Sequence, residues 1–129
     1  MPRVSAAFFA LGVVCLFIGM LMGAEMGKSE DFTLMPVHAH LNLLGWVTMA
    51  LYGIFYALTH AGLKPKLAWI NFWLAALGVA LMIPSLALYL PARDTKFVPG
   101  ILAGEAATIL SLLVFAISVY RELVRPRLA

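Results

Sequence analysis

The sequence predicts an all-α membrane protein: four transmembrane helices in an up-and-down bundle with both termini on the cytoplasmic side. Three observations predict it. Of 129 residues, 64% are hydrophobic and only 12% charged, a balance outside the range of soluble domains of this size. The apolar residues fall into four runs, each close to the roughly 20 residues a helix needs to cross a bilayer core. The polar stretches between them differ in Lys and Arg content, which is what sets orientation. The net charge of +3 is carried by basic residues scattered at helix ends, so there is no patch for nucleic acid. A single cysteine, Cys15, excludes a disulfide framework within the chain.

The whole chain, residues 1–129, reads as one domain. The first span covers about 4–24. Its apolar run is longer than a signal-peptide core and no small-x-small cleavage site follows, so it reads as a retained helix. Gly12, Gly19 and Gly23 lie along it, and Gly19-Met-Leu-Met-Gly23 is a small-xxx-small pair, which serves close helix contact or is ordinary filler. Residues 25–35 read as a polar connection with Lys28, Glu30 and Asp31. Pro36 suits a first helical turn, where a missing N–H has no consequence, and opens a second span over about 37–59. His60-Ala-Gly-Leu-Lys-Pro-Lys66 is the next loop: Gly62 stops the helix, and Lys64 and Lys66 make the loop basic. The third span, about 67–90, carries Trp69 and Trp73 near its start, as interfacial aromatics do, and Pro84 as a kink site. Residues 91–96 form a turn. The fourth span, about 97–120, carries Gly100, Gly104 and Glu105 in its first half and ends in the basic tail Arg121–Arg127. Arg3, the Lys64/Lys66 loop and the tail share one side, which the positive-inside rule makes cytoplasmic.

The chemistry concentrates at the start of the second span, His38-Ala-His-Leu-Asn-Leu-Leu-Gly-Trp46. Imidazole is costly in lipid and is a common metal and haem ligand. Residues two apart on an α-helix point about 200° apart, so His38 and His40 cannot ligate one iron from one straight helix. Either they serve two sites, or one is a ligand and the other a structural partner. Taken singly, His38 reads as a histidine bonded to a neighbouring carbonyl or water. His60 lies roughly 30 Å further down the helix and reads as a solvated loop residue. Zinc or copper held by protein alone needs three or four converging ligands, which one chain does not offer. Haem needs one or two axial ligands and a flat apolar slot. Asn42 and Gly45 follow His38 at i+4 and i+7, with Met49, Tyr52 and Tyr56 extending the stripe. Gly45 suits the approach of a flat ring, and the whole stripe also suits a helix–helix seam. Arg93 reads as a counter-charge for haem propionates or as an interfacial cation. Glu105 reads as a proton-handling group, a partner for Arg93, or a carboxyl in a watery vestibule.

The pattern His38-x-His-Leu-x-Leu-Leu-Gly-Trp-x-x-x-x-x-Tyr-Gly53 resembles a helix of the catalytic subunit of haem–copper oxidases and their nitric oxide reductase relatives. In that family a His-x-His helix ligates a high-spin haem with its first histidine and a low-spin haem with its second. The twelve helices form three pseudo-repeats of four, with ligands on the second helix of each. Arginines between the third and fourth helices of the last repeat hold propionates. This chain is similar to one such repeat standing alone, with Arg93 at the corresponding connection. The family's copper site needs further histidines, including an adjacent pair, and its oxidases carry a cross-linked tyrosine; neither has a counterpart here.

The resemblance implies haem b held by His38 and His40, with Asn42, Gly45 and Arg93 around it. The expected function is that of a small b-type cytochrome of the bacterial or archaeal inner membrane, acting as an electron carrier. The alternatives are a cofactor-free structural or regulatory subunit and a small oxygen or nitric oxide reductase. Met26 and Met35 are the candidates for a second axial ligand within the chain. The expected assembly is a homotrimer in which His38 of one subunit and His40 of the next clasp one iron, aided by the Gly19/Gly23 and Gly100/Gly104 faces. A twofold dimer pairing His40 with His40 is the runner-up. The topology predicts that reporter fusions after residue 62 and after residue 129 both report the cytoplasm; an external C-terminus would overturn it.

Overall fold

A computed structural model describes residues 1–59, 61 and 64–126. Expectations for His60, Gly62 and Arg127 fall outside these residues. Helix α1 spans Arg3–Ser29, α2 Met35–Thr59, α3 Pro65–Ala92 and α4 Val98–Leu123. A 3₁₀ turn, Thr95–Phe97, precedes α4. All four helices are long and apolar enough to cross a membrane, and there is no strand among the described residues.

Each expected span is present, and most helices run beyond the apolar stretch that marks them. The clearest difference is at α1. Residues 25–29, expected in the connection, continue the helix, and Ser29 Oγ donates to the Glu25 carbonyl at 2.8 Å. Hydropathy locates where a helix leaves the apolar phase, whereas the backbone ladder continues until a residue breaks it. Here that residue is Glu30, in the left-handed region at φ 57°, whose N–H bonds back to the Met26 carbonyl. Lys28 in the last turn opposes the negative end of the helix dipole. Beyond it, Thr33 donates its hydroxyl and N–H to Asp31 Oδ1 at 2.7 and 3.0 Å, which holds the Asp31 carboxyl below its usual pKa. Pro36 sits in the first turn of α2 as expected. Likewise Pro91 and Ala92 still belong to α3, which ends at Arg93 in the left-handed region.

The helices associate as α1 with α2 and α3 with α4, and α3 also touches α1 and α2. Phe8 of α1 is fully buried where they meet. Its ring lies 5.7 Å from Tyr52 and 5.8 Å from Tyr56 of α2, and 5.2 Å from Phe72 of α3. Phe115 of α4 closes the cluster at 4.4 Å from Tyr52. Edge-to-face and stacked rings of this kind add specificity to apolar burial.

Backbones approach closely where the side chain is a hydrogen atom. A Cβ on Gly104 would lie 2.7 Å from Met82 Cβ and 2.8 Å from the Gly78 carbonyl, and one on Gly45 2.7 Å from Cys15 Cβ. Gly19 and Gly23 meet Asn42 and His38, and Gly100 meets Ser85. The small-residue faces expected between chains are thus filled within one chain. Gly104→Val is expected to force α3 from α4 and destabilise the protein by about 1–3 kcal/mol, read as a lowered unfolding temperature in detergent. Gly27→Ala, with nothing within 4 Å of the added Cβ, is expected to keep that temperature or raise it slightly, since alanine favours the helix over glycine.

Candidate functional site

Both histidines precede an irregular piece of α2. Leu41–Thr48 is π-helical, so its backbone bonds reach five residues rather than four and the turn widens. Side chains serve the ladder at both ends. Asn42 Nδ2 donates to the His38 carbonyl at 2.9 Å, and Thr48 Oγ1 to the Leu43 carbonyl at 2.8 Å. Burial follows the wider turn: Leu41, Gly45 and Met49 are buried, while Leu43, Val47 and Leu51 are exposed. That four-residue repeat keeps one face of α2 on α1 over a longer stretch than an α-helical repeat would.

His38 lies on that face. Its Nδ1–H donates to the Gly19 carbonyl of α1 at 2.8 Å. That carbonyl can only accept, so the neutral ring carries its proton on Nδ1 and leaves Nε2 as acceptor. Asn42 Nδ2 lies 3.3 Å from Nε2. A Cβ on Gly23 would come within 3.0 Å of the ring. His38 is therefore a polar link across the α1–α2 seam, as its single-residue reading anticipated. Asn42 and Gly45 belong to the same seam: Asn42 fills the notch at Gly19, and Gly45 packs on Cys15. The open face for a flat ring that Gly45 was expected to provide is covered by α1.

His40 has the opposite setting. Its Nδ1–H donates to the Pro36 carbonyl one turn back at 2.7 Å, which fixes the tautomer and directs Nε2 away from the backbone. Among the described residues Nε2 has no partner. The exposed ring lines an open groove of about 340 Å³ with Leu44 of α2, Met82 and Leu86 of α3, and Ile101, Glu105, Thr108 and Ile109 of α4. Thr108 Oγ1 donates to the Gly104 carbonyl at 2.9 Å. Glu105 is exposed, and among the described residues it has no hydrogen bond or ion pair. An unpartnered carboxyl on a membrane-crossing helix is a functional-site signal.

The other candidates are elsewhere. Arg93 caps α3, with its N–H on the Tyr89 carbonyl at 2.7 Å and its guanidinium 5.7 Å over the Tyr89 ring. It does not line the His40 groove, and the ion pairs among the described residues are Lys96–Asp94 and Arg125–Glu122 rather than Arg93–Glu105. Met26 is buried beside Met22, Glu25 and Asp31, and Met35 is exposed; the methionine brought near His40 is Met82. Among the described residues no three His, Cys, Asp or Glu side chains converge.

A buried polar relay crosses the core. Ser111 Oγ donates to Asn71 Oδ1 at 2.6 Å, Asn71 Nδ2 to Tyr56 Oη at 3.2 Å, and Tyr56 Oη to Ser118 Oγ at 3.0 Å. Ser118 Oγ passes its own proton to the Val114 carbonyl at 3.1 Å, which fixes the direction of the chain. Its sequence signal is Asn71 alone in an apolar run, with Ser111 and Ser118 two turns apart on α4.

No known protein family, curated protein or solved structure matches the chain. The resemblance to haem–copper oxidases rests on the motif residues of α2. For the relay, Asn71→Leu is expected to leave the Ser111 and Tyr56 hydroxyls without their amide partner at a cost of about 1–3 kcal/mol. The check is unfolding in detergent against Ser111→Ala, which removes one hydrogen bond and should cost less.

Proposed function

We propose that this chain is a haem-binding, b-type cytochrome-like electron carrier of the bacterial or archaeal cytoplasmic membrane, with His40 as an axial ligand to iron. One observation carries the reading: an imidazole oriented by the Pro36 carbonyl holds Nε2, without a partner among the described residues, in a groove walled by Leu44, Leu86, Ile101 and Ile109. Metal-ligating histidines commonly donate their other N–H to a carbonyl, which fixes the ring and raises its basicity. The groove has the scale and apolar lining of small-ligand sites, so the residues present fit a flat apolar cofactor with one nitrogen ligand. When bound, haem supplies a one-electron couple at iron. The chain's own residues orient the ligand ring, line the groove with apolar walls and place the Glu105 carboxyl nearby. In this reading the helices cross alternately, both termini are cytoplasmic, and His40 lies in the outer half of the membrane.

A specific observation favours a second reading, a cofactor-free structural subunit. The bonds of His38 to Gly19 and Asn42 account for that residue without any cofactor. Spectra separate the two. Wild-type protein purified after expression with haem supplied is expected to show a Soret band and a reduced-minus-oxidised α band. His40→Ala is expected to lose most of the bound haem. A wild-type preparation without a Soret band would leave the cofactor-free subunit as the reading.

A further inference from the structure

We propose that the haem site is completed by a second copy of this chain related by a twofold axis, so that one iron lies between two His40 rings. The inference rests on the haem reading above and goes beyond it by naming the second ligand and the partner.

His38 is held in the α1–α2 seam by the Gly19 carbonyl, with its ring against Gly23. That bond leaves Nε2 as acceptor, but Asn42 Nδ2 lies 3.3 Å from it, so reaching an iron outside the bundle would mean turning the ring out of the seam. Helix α2 runs on to Thr59, roughly 28 Å beyond His40 along its axis, and His60 follows Thr59 in sequence. A second imidazole for a His40-bound iron therefore comes from another His40. The clasp between His38 of one chain and His40 of the next would need His38 to leave the seam, where its ring lies against Gly23 and Asn42 lies beside Nε2.

The groove is open, and it combines apolar walls on one face of the bundle with an imidazole nitrogen and a carboxyl that have no partner among the described residues. Facing lipid, Glu105 and His40 are both costly. A twofold axis along the membrane normal keeps the two copies in the same orientation and places both His40 rings at one depth. The contact is isologous, with the same patch on each side, so the groove needs no other complementary surface. It covers the Glu105 carboxyl of each copy beside a cationic iron centre, which is complementary in charge.

The test combines stoichiometry with cross-linking. Purified wild-type protein is expected to be a dimer with about one haem per two chains and the low-spin electron paramagnetic resonance of bis-imidazole iron. His38→Ala is expected to keep that signature wherever it folds. Ile109→Cys, on the rim of the groove, is expected to give covalent dimers with a short bis-maleimide. Val14→Cys, exposed on α1, is expected to give none. Cys15 is buried and stays as an inert native thiol, so wild type is the blank. A monomer holding haem at one per chain would overturn the twofold arrangement and leave the haem reading standing. So would bis-imidazole iron lost on His38→Ala in folded protein, or cross-links at Val14 and not at Ile109. Wild-type protein without haem would overturn both.

Discussion

The hydrogen bond from His38 to the Gly19 carbonyl is the constraint on which the seam between α1 and α2 depends. A carbonyl within a helix already accepts from its own ladder, and it takes a second donor only if a side chain reaches it. Gly19 allows that approach because it has no side chain, and Gly23 leaves room for the ring one turn away. Asn42 then fills the space above Gly19 and donates to the His38 carbonyl. Glycines on one helix and a histidine and an amide on the other thus form one unit. In an apolar phase, where water offers no substitute partner, such a unit has few alternative arrangements.

The widened turn of α2 begins one residue beyond His40 and runs along the same seam. An α-helical repeat would carry successive seam residues around the helix and off α1. The π-helical stretch keeps Leu41, Gly45 and Met49 in line along it. Cys15 meets Gly45 lower in the same seam, and Phe8 meets Tyr52 and Tyr56 below that. The polar contacts lie at one end of the seam and the aromatic cluster at the other.

Much of this arrangement is legible in the sequence, and the limits are physical. The four spans follow from hydropathy, since apolar length alone decides whether a helix can cross a bilayer. Pro36 marks a helix start because its missing N–H is harmless only there. The helix ends were less legible, because Glu30 and Arg93 end their helices in a left-handed conformation that is not typical of either residue. The opposed directions of His38 and His40 follow from helical geometry and are observed. Which of the two faces meets another helix is not encoded locally: Gly45 suits a planar cofactor as well as it suits Cys15. The π-helical stretch has no sequence rule, and the groove combines three helices, so Met82 and Thr108 could not be assigned to it from spacing.

The two histidines show how one residue type takes two roles two positions apart. Each donates Nδ1–H to a backbone carbonyl, so each ring has a fixed tautomer and an acceptor nitrogen at Nε2. The difference lies in which carbonyl accepts. For His38 it belongs to another helix, and the bond holds two elements together while Asn42 lies beside Nε2. For His40 it belongs to its own helix one turn back, so the bond orients the ring without connecting it to a neighbour. A ring oriented in that way contributes little to holding the bundle together. Its polar cost in an apolar phase therefore calls for a partner at Nε2, and the groove it shares with Glu105 is where such a partner would bind.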